Sequence, residues 1–445
     1  MLSSQPTLIM DNGAYSIRRA MPPTKVPGIC VLHSFFLVIF PNTVFKSKGE
    51  RKRIFVADEL DQCTDRSALF FVLPFERGYL VNWDTQLQVW NRVFGTEGAG
   101  LGVDCQQCRL VLTDPNEVAF AFADNTDEIV FENYRFHAFL RNAHCSAHNP
   151  CCVVVDSGHS FTHIVPFVGG QIVREGIVRI DIGGKALTNQ LKDWISYRQL
   201  HMMDETYLVN CCKEDCCFVS TDFQRDMDRW RANRVDYVLP DFVHTTRGHV
   251  LHWGDTSNRL AHKNADVDEQ QQKVTLGVER FALPELLIRP GDVEVQQMGI
   301  PEALCAAIER LPKEMQLLMA RNIVLTGGNA LFPGYRKRIE QELRSMLPEQ
   351  YTLGVQQPSD PICHAWECAR DAIQQQQQHD DAETSASSAS DVDAAATQFS
   401  PRLTAKFVSR AEYEENGPNI CRRRFANVYN TNNNSNENNG DDGTT

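Results

Sequence analysis

Positive charge is scarce in this sequence: 44 lysines and arginines stand against 57 aspartates and glutamates, a net charge of −13. Such a chain exerts no long-range pull on a polyphosphate, which argues against direct DNA binding and suits basic partners such as histones. Also missing is an apolar run long enough to span a bilayer comfortably. Residues 26–40 (VPGICVLHSFFLVIF) come nearest, but they are short and open on a Val-Pro-Gly turn signal, so a buried strand pair is expected there. The run also lies too far inside the chain, and lacks the cleavage pattern, for a signal peptide. No secretory pattern opens the sequence, and its 15 cysteines are odd in number and scattered, as in a reducing compartment. Cys105 and Cys108 form a CxxC, and Cys211, Cys212, Cys216 and Cys217 cluster, but no second pair recurs at zinc spacing and no zinc site is expected.

What is present is a globular composition, 42% hydrophobic and 23% charged over 445 residues, enough for two or three ordinary domains. Three segments differ from the rest. Residues 374–378 are consecutive glutamines and lead into an Asp/Ala/Ser-rich tract to about residue 400; residues 426–445 are Asn-rich. Both hold too few apolar groups to offset the entropy of ordering them. Residues 247–273 are polar and predict a surface loop between strands. Elsewhere short apolar strands alternate with amphipathic helices, an α/β pattern.

The most informative feature is an internal repeat. Residues 7–13 (TLIMDNG) form an apolar strand ending in Asp-x-Gly, and residues 153–158 (VVVDSG) repeat the unit. Each predicts a return strand: residues 161–167 (FTHIVPF) after the second, and part of the apolar run after the first. Paired glycines at Gly183-Gly184 and Gly327-Gly328 each close a strand and open a helix. Leu187, Leu191, Trp194 and Ile195 form the core face of the first helix, and Ile339, Leu343 and Leu347 that of the second. Asp-x-Gly turns offer backbone N–H groups that can surround a phosphate, since glycine lets the main chain approach closely. Their aspartates, Asp11 and Asp156, suit a hydrated Mg²⁺ held through water rather than by direct ligation. A Gly-Gly turn opening a helix suits a nucleotide's adenosine or phosphate end. Each signal is weak alone; two halves sharing them describe a nucleotide clamped between similar lobes.

That order of motifs resembles the actin, sugar-kinase and heat-shock ATPase superfamily. Residues 9–13 look like the first phosphate loop of actins, and residues 155–166 like the second. Residues 322–334 (NIVLTGGNALFPG) are similar to the actin adenosine motif. Residues 82–84 (NWD), 277–281 (GVERF) with Pro284 and Glu285, and 412–418 (EYEENGP) fit the same pattern. Residues 195–201, 203–206, 236–242 and 298–303 look more like the actin-related protein 6 branch than like conventional actin. The resemblance covers roughly residues 7–425. It implies a two-lobed fold of duplicated ribonuclease-H-like βββαβα domains with a nucleotide cleft between them. The first lobe is expected to take residues 1–157, 358–373 and 401–425, and the second residues 158–357. It also implies ATP or ADP with Mg on Asp11, Gly13, Asp156, Gly158, Lys213, Glu214, Gly327 and Gly328, with Lys213 and Glu214 at the ribose and base.

The chain departs from the family at several points. Ala14 stands where conventional actins carry serine, a missing hydrogen bond worth on the order of 1 kcal/mol. His159 replaces an acidic residue, and no glutamine lies near Ala143 and His144 to orient an attacking water. Residues 366–369 (WECA) lack the paired glycines often seen in relatives. An apolar insert between Arg18 and Pro41 replaces a short hairpin; a genuine insertion and a translated intron would look alike here. ATP hydrolysis is therefore expected to be very weak or absent. The small outer subdomain near residues 45–61 looks short, so no homopolymer is expected. The resemblance implies a nuclear scaffold, held with a remodelling ATPase and other subunits in a complex that exchanges a variant histone into nucleosomes. The alternatives are an ATPase switch or a cytoskeletal protein in the cytoplasm. Arg422, Arg423 and Arg424 form too short a basic run to count as an import signal.

Overall fold

The computed structural model describes residues 6–20, 37–48, 53–97, 100–113, 120–142, 150–252, 272–293, 295–386 and 406–426. Two sheets of one plan carry the fold. In the first, Thr7–Asn12 pairs antiparallel with Ser16–Ala20, which pairs with Val38–Pro41; on its other side it runs parallel to Arg109–Thr113, followed by Ala138–Asn142. In the second, Cys152–Ser157 pairs antiparallel with Thr162–Val168, which pairs with Val178–Ile180. Cys152–Ser157 also runs parallel to Ile323–Thr326, which is followed by Val355–Gln356. Both sheets have six strands, and the three antiparallel strands and two parallel ones they share make the α/β duplication explicit. Thr7–Asn12 is buried throughout and Cys152–Ser157 nearly so, because each is a central strand covered on both faces.

Each sheet has its own core. One contains Leu8, Ile9, Leu110, Phe139, Trp366 and Tyr413; the other contains Val153, Val155, Leu187, Leu304, Leu325 and Ile339. The division expected after residue 157 falls earlier. Cys152–Ser157 is bonded into the second sheet and buries Val153 and Val155 there, so it belongs with the second lobe. The helix Gly184–Arg198 buries Leu187, Leu191 and Ile195, with Trp194 partly covered. Tyr335–Met346 buries Ile339 and Leu343, with Leu347 just beyond its end.

Three local expectations need correction. The first return strand is Ser16–Ala20, ahead of the apolar run, because the turn after Asn12 is tight enough to set Asn12 opposite Ile17. Only the end of that run lies among the described residues, as the strand Val38–Pro41 with Phe40 buried and Ile39 exposed. The polar loop begins later than residue 247, since His249–His252 and Lys273–Leu276 both pair with Val235–Val238; residues 253–271 lie outside the described ones. The five glutamines lie within the helix His364–Ala386. Trp366, Ala369 and Ile373 anchor its first half in the core, and the stretch that follows has no proline or glycine to stop a good helix former such as glutamine.

A small outer sheet, with Val44–Lys46 between Ile54–Val56 and Phe70–Val72, encloses Phe45, Phe55, Leu60 and Leu69. It touches the opposite lobe at the start of the helix Thr206–Cys216. Lys48 Nζ lies 3.0 Å from Asp204, Arg66 donates to the Tyr207 hydroxyl at 3.0 Å, and the Ala68 N–H donates to Glu205 at 2.8 Å. Among the described residues no helix is long and apolar enough to cross a membrane.

Candidate functional site

The first Asp-x-Gly turn is braced by buried amides. Asn42 Nδ2 donates to the Gly13 carbonyl at 2.9 Å and to Asn12 Oδ1 at 3.3 Å. Gln86 Nε2 donates to Asn42 Oδ1 at 3.1 Å, and Trp90 Nε1 to Asn12 Oδ1 at 3.3 Å. Gln86 and Trp90 sit on the helix Trp83–Phe94, whose N-cap is Asn82, so the familiar NWD segment earns its place as a helix start. The Asp11 carboxylate is engaged by the Arg18 guanidinium and accepts a hydrogen bond from Thr113 Oγ1 at 2.7 Å.

The second turn is fastened by both glycine pairs. The Gly184 N–H donates to the Gly158 carbonyl at 2.9 Å, and the Lys185 N–H to the His159 carbonyl at 2.8 Å. Asn329 Nδ2 reaches both Ser157 Oγ and the Gly158 carbonyl at 3.0 Å. Gly327, at φ +87°, packs so closely that an added Cβ would lie 2.3 Å from the Ser157 carbonyl oxygen and 2.8 Å from Asp156 Oδ1. Asp156, Gly158, Gly327 and Gly328 are thus drawn together, though they come from distant parts of the chain.

Lys213 and Glu214 join them from the helix Thr206–Cys216. Lys213 Nζ donates to the Gly184 carbonyl at 3.1 Å, Thr188 Oγ1 at 2.9 Å and Asn210 Oδ1 at 2.8 Å. An ammonium has three hydrogens, so these bonds account for all of them. Burial lowers its pKa from the ordinary lysine value. Glu214 accepts from Asn210 Nδ2 at 2.7 Å, and Arg247 lies 3.4 Å from its other oxygen.

Three residues that matter here carried no motif signal: Arg18, Asn210 and above all Tyr15. Tyr15 leaves the first turn and crosses to the second lobe, where its hydroxyl accepts from Asn210 Nδ2 at 3.2 Å. Its ring lies 5.1 Å from that of His159. Burial of the hydroxyl end, reinforced by the Glu214 carboxylate, raises the phenol's pKa. An aromatic residue just past an Asp-x-Gly turn was the only available cue.

His159 is neutral. Burial, then Lys213 and Lys185, push its pKa down from 6.5 to about 3. Between these values the unfolded chain binds a proton that the folded one refuses. Stability linked to His159 is therefore complete above pH 6.5 and falls as pH drops towards 3. A His159→Gln variant should lose less melting temperature than wild type between about pH 7 and about pH 4.5. Equal losses across paired thermal melts would show that the imidazole protonates freely in the folded chain.

Most of the described cysteines are buried thiols. Burial raises the Cys105 thiol to about 12 and Cys108 to about 11. Cys212 is raised well above 9.0, first by its hydrogen bond with Cys216 and then by burial. Among the described residues no group of three or more His, Cys, Asp or Glu is placed to hold a metal ion. Ala143 and His144, where the water-orienting residue was sought, lie outside the described residues.

The fold typically binds a nucleotide, and the eight expected residues lie at the two turns and on the helix Thr206–Cys216. As arranged, they do not fit such a ligand. The N–H groups of Gly158, Gly184, Lys185 and Gly327 all donate within the protein, Lys213 is saturated and Asp11 faces Arg18. The Tyr15 side chain runs from the first turn to Asn210, which also bonds Lys213 and Glu214.

A family profile described as Actin matches residues 2–369. Actin-related protein 6 of Drosophila melanogaster is 40% identical over 380 residues, covering 81% of this chain and 90% of that protein. An actin-like protein of Caenorhabditis elegans is 39% identical, over 82% of this chain and 86% of its own length. Actin-related protein 6 of Arabidopsis thaliana is 30% identical, over 94% and 99%. With a duplicated sheet, a cleft at the paired turns and likeness over most of its length, this chain belongs to the actin family, on the branch of actin-related protein 6.

Proposed function

We propose that the protein is a non-filamentous scaffold in a nuclear chromatin-remodelling complex that exchanges a variant histone into nucleosomes. The observation that carries this reading is likeness to proteins named actin-related protein 6 over most of both chains, in a fly and a plant. The cleft supports it: its donors are spent on the protein itself, which suits a fixed shape better than turnover of ATP. A net charge of −13 suits basic partners, among them histones and basic segments of a remodelling ATPase. In this reading there is no direct sequence-specific DNA binding, no membrane association and no homopolymer.

The test is affinity purification of the tagged full chain from nuclear extract, with mass spectrometry of what accompanies it. A remodelling ATPase together with variant-histone exchange subunits is the expected result. Cytoskeletal proteins alone would overturn the reading in favour of a cytoplasmic actin relative.

A further inference from the structure

We propose that the Tyr15 side chain is the built-in occupant of the interlobe cleft, standing where the fold would otherwise admit a nucleotide and joining the lobes in its place. The inference does not depend on the assembly proposed above. It rests on what holds Tyr15 at each end. Its backbone carbonyl accepts from the Asn42 N–H at 2.9 Å, within the network that braces the first turn. Its hydroxyl is fixed by Asn210, whose side chain also bonds Glu214, Lys213 and Thr188. Between these ends the ring leans on His159, directly after Gly158. Tyr15 keeps 49% of its surface exposed, so the ring belongs to neither core and projects into the cleft. The two anchored ends hold the aromatic side chain in that position.

The surroundings agree with permanent self-occupation. Arg18 occupies the carboxylate of Asp11 that would face a hydrated cation. His159, uncharged, offers a ring face to Tyr15. At the mouth, Lys48, Arg66 and Ala68 already meet Asp204, Tyr207 and Glu205 across the gap. Closure that a bound ligand would normally stabilise is supplied by the chain itself.

The test begins with the purified full chain. Nucleotide released by acid should amount to less than about a tenth of a mole per mole, and a fluorescent ATP analogue with Mg²⁺ should show no saturable binding up to about 1 mM. Tyr15→Gly should bind the analogue at least about tenfold more tightly than wild type, and added analogue should raise its melting temperature. Tyr15→Phe keeps the ring and should still exclude the analogue. If the glycine variant does not fold, Tyr15→Leu, too short to reach Asn210, replaces it and should also gain binding. Roughly a mole of nucleotide in the wild-type protein would overturn the proposal. So would equal binding by wild type and a folded Tyr15 variant, or none by either, because the ring would then not be what decides occupancy.

Discussion

Replacing Arg338 with methionine should destabilise the protein by about 3–5 kcal/mol, the largest effect expected of any single substitution considered. Arg338 lies on the helix Tyr335–Met346 and forms a two-pronged pair with Glu285, at 2.7 and 3.0 Å. Each side chain retains only 6% of its accessible surface. The same guanidinium donates to the Ser220 carbonyl at 2.6 Å and to Glu342 at 2.7 Å. Burial raises the Glu285 carboxyl above its ordinary value, and Arg338 is first among the groups pulling it back. Without Arg338 a carboxylate would stay buried without its bidentate partner, a far greater cost than the net worth of the intact pair. The double variant Arg338→Met, Glu285→Met should therefore recover much of the loss. Urea denaturation of wild type, single and double variants checks this. A single variant within about 1 kcal/mol of wild type would mean that water reaches the pair.

Gly327→Ala should cost roughly 3 kcal/mol, whereas Gly328→Ala should stay within about 0.5 kcal/mol. Gly327 has φ +87°, and a Cβ there would lie 2.3 Å from the Ser157 carbonyl oxygen. Only separation of the two central turns could make room, and with it would go the contact that aligns Asp156 with the adenosine motif. Gly328 has nothing within 4 Å of an added Cβ and needs no unusual backbone angle. Thermal melting of the two variants side by side tests the contrast. Equal effects would mean that the turn relaxes freely and that the close approach is not structural.

These two cases show how much could be read in advance. Both glycines belong to one motif, and nothing in their order ranks one above the other. Their difference lies in what Ser157 and Asp156 do about 170 positions earlier in the chain. Glu285 was visible as part of the actin pattern beside Pro284, but its partner was not, because 53 residues separate it from Arg338. The duplicated plan was readable because strand and turn chemistry is local. An apolar run ending in Asp-x-Gly looks the same in both halves, and each half builds the same five strands into a six-stranded sheet. The first return strand was misplaced for a related reason. Ser16–Ala20 contains two arginines and lacks an apolar pattern; pairing with Thr7–Asn12 and Val38–Pro41 makes it a strand.

By itself, then, the sequence determined the α/β class, the repeat and the family, and singled out eight residues at the paired turns and on one helix. Those follow from short-range chemistry: periodicity, turn residues and motifs read within a dozen positions. Only the tertiary structure decided how the hydrogen bonds around the paired turns are spent. Hydrogen-bond donors are finite, and whether Lys213, Gly184 and Asn210 offer theirs to a ligand or to the protein depends on neighbours brought in from elsewhere in the chain. Tyr15, silent as a motif, acquires its meaning from Asn210, 195 residues away, because folding places their side chains within one hydrogen bond.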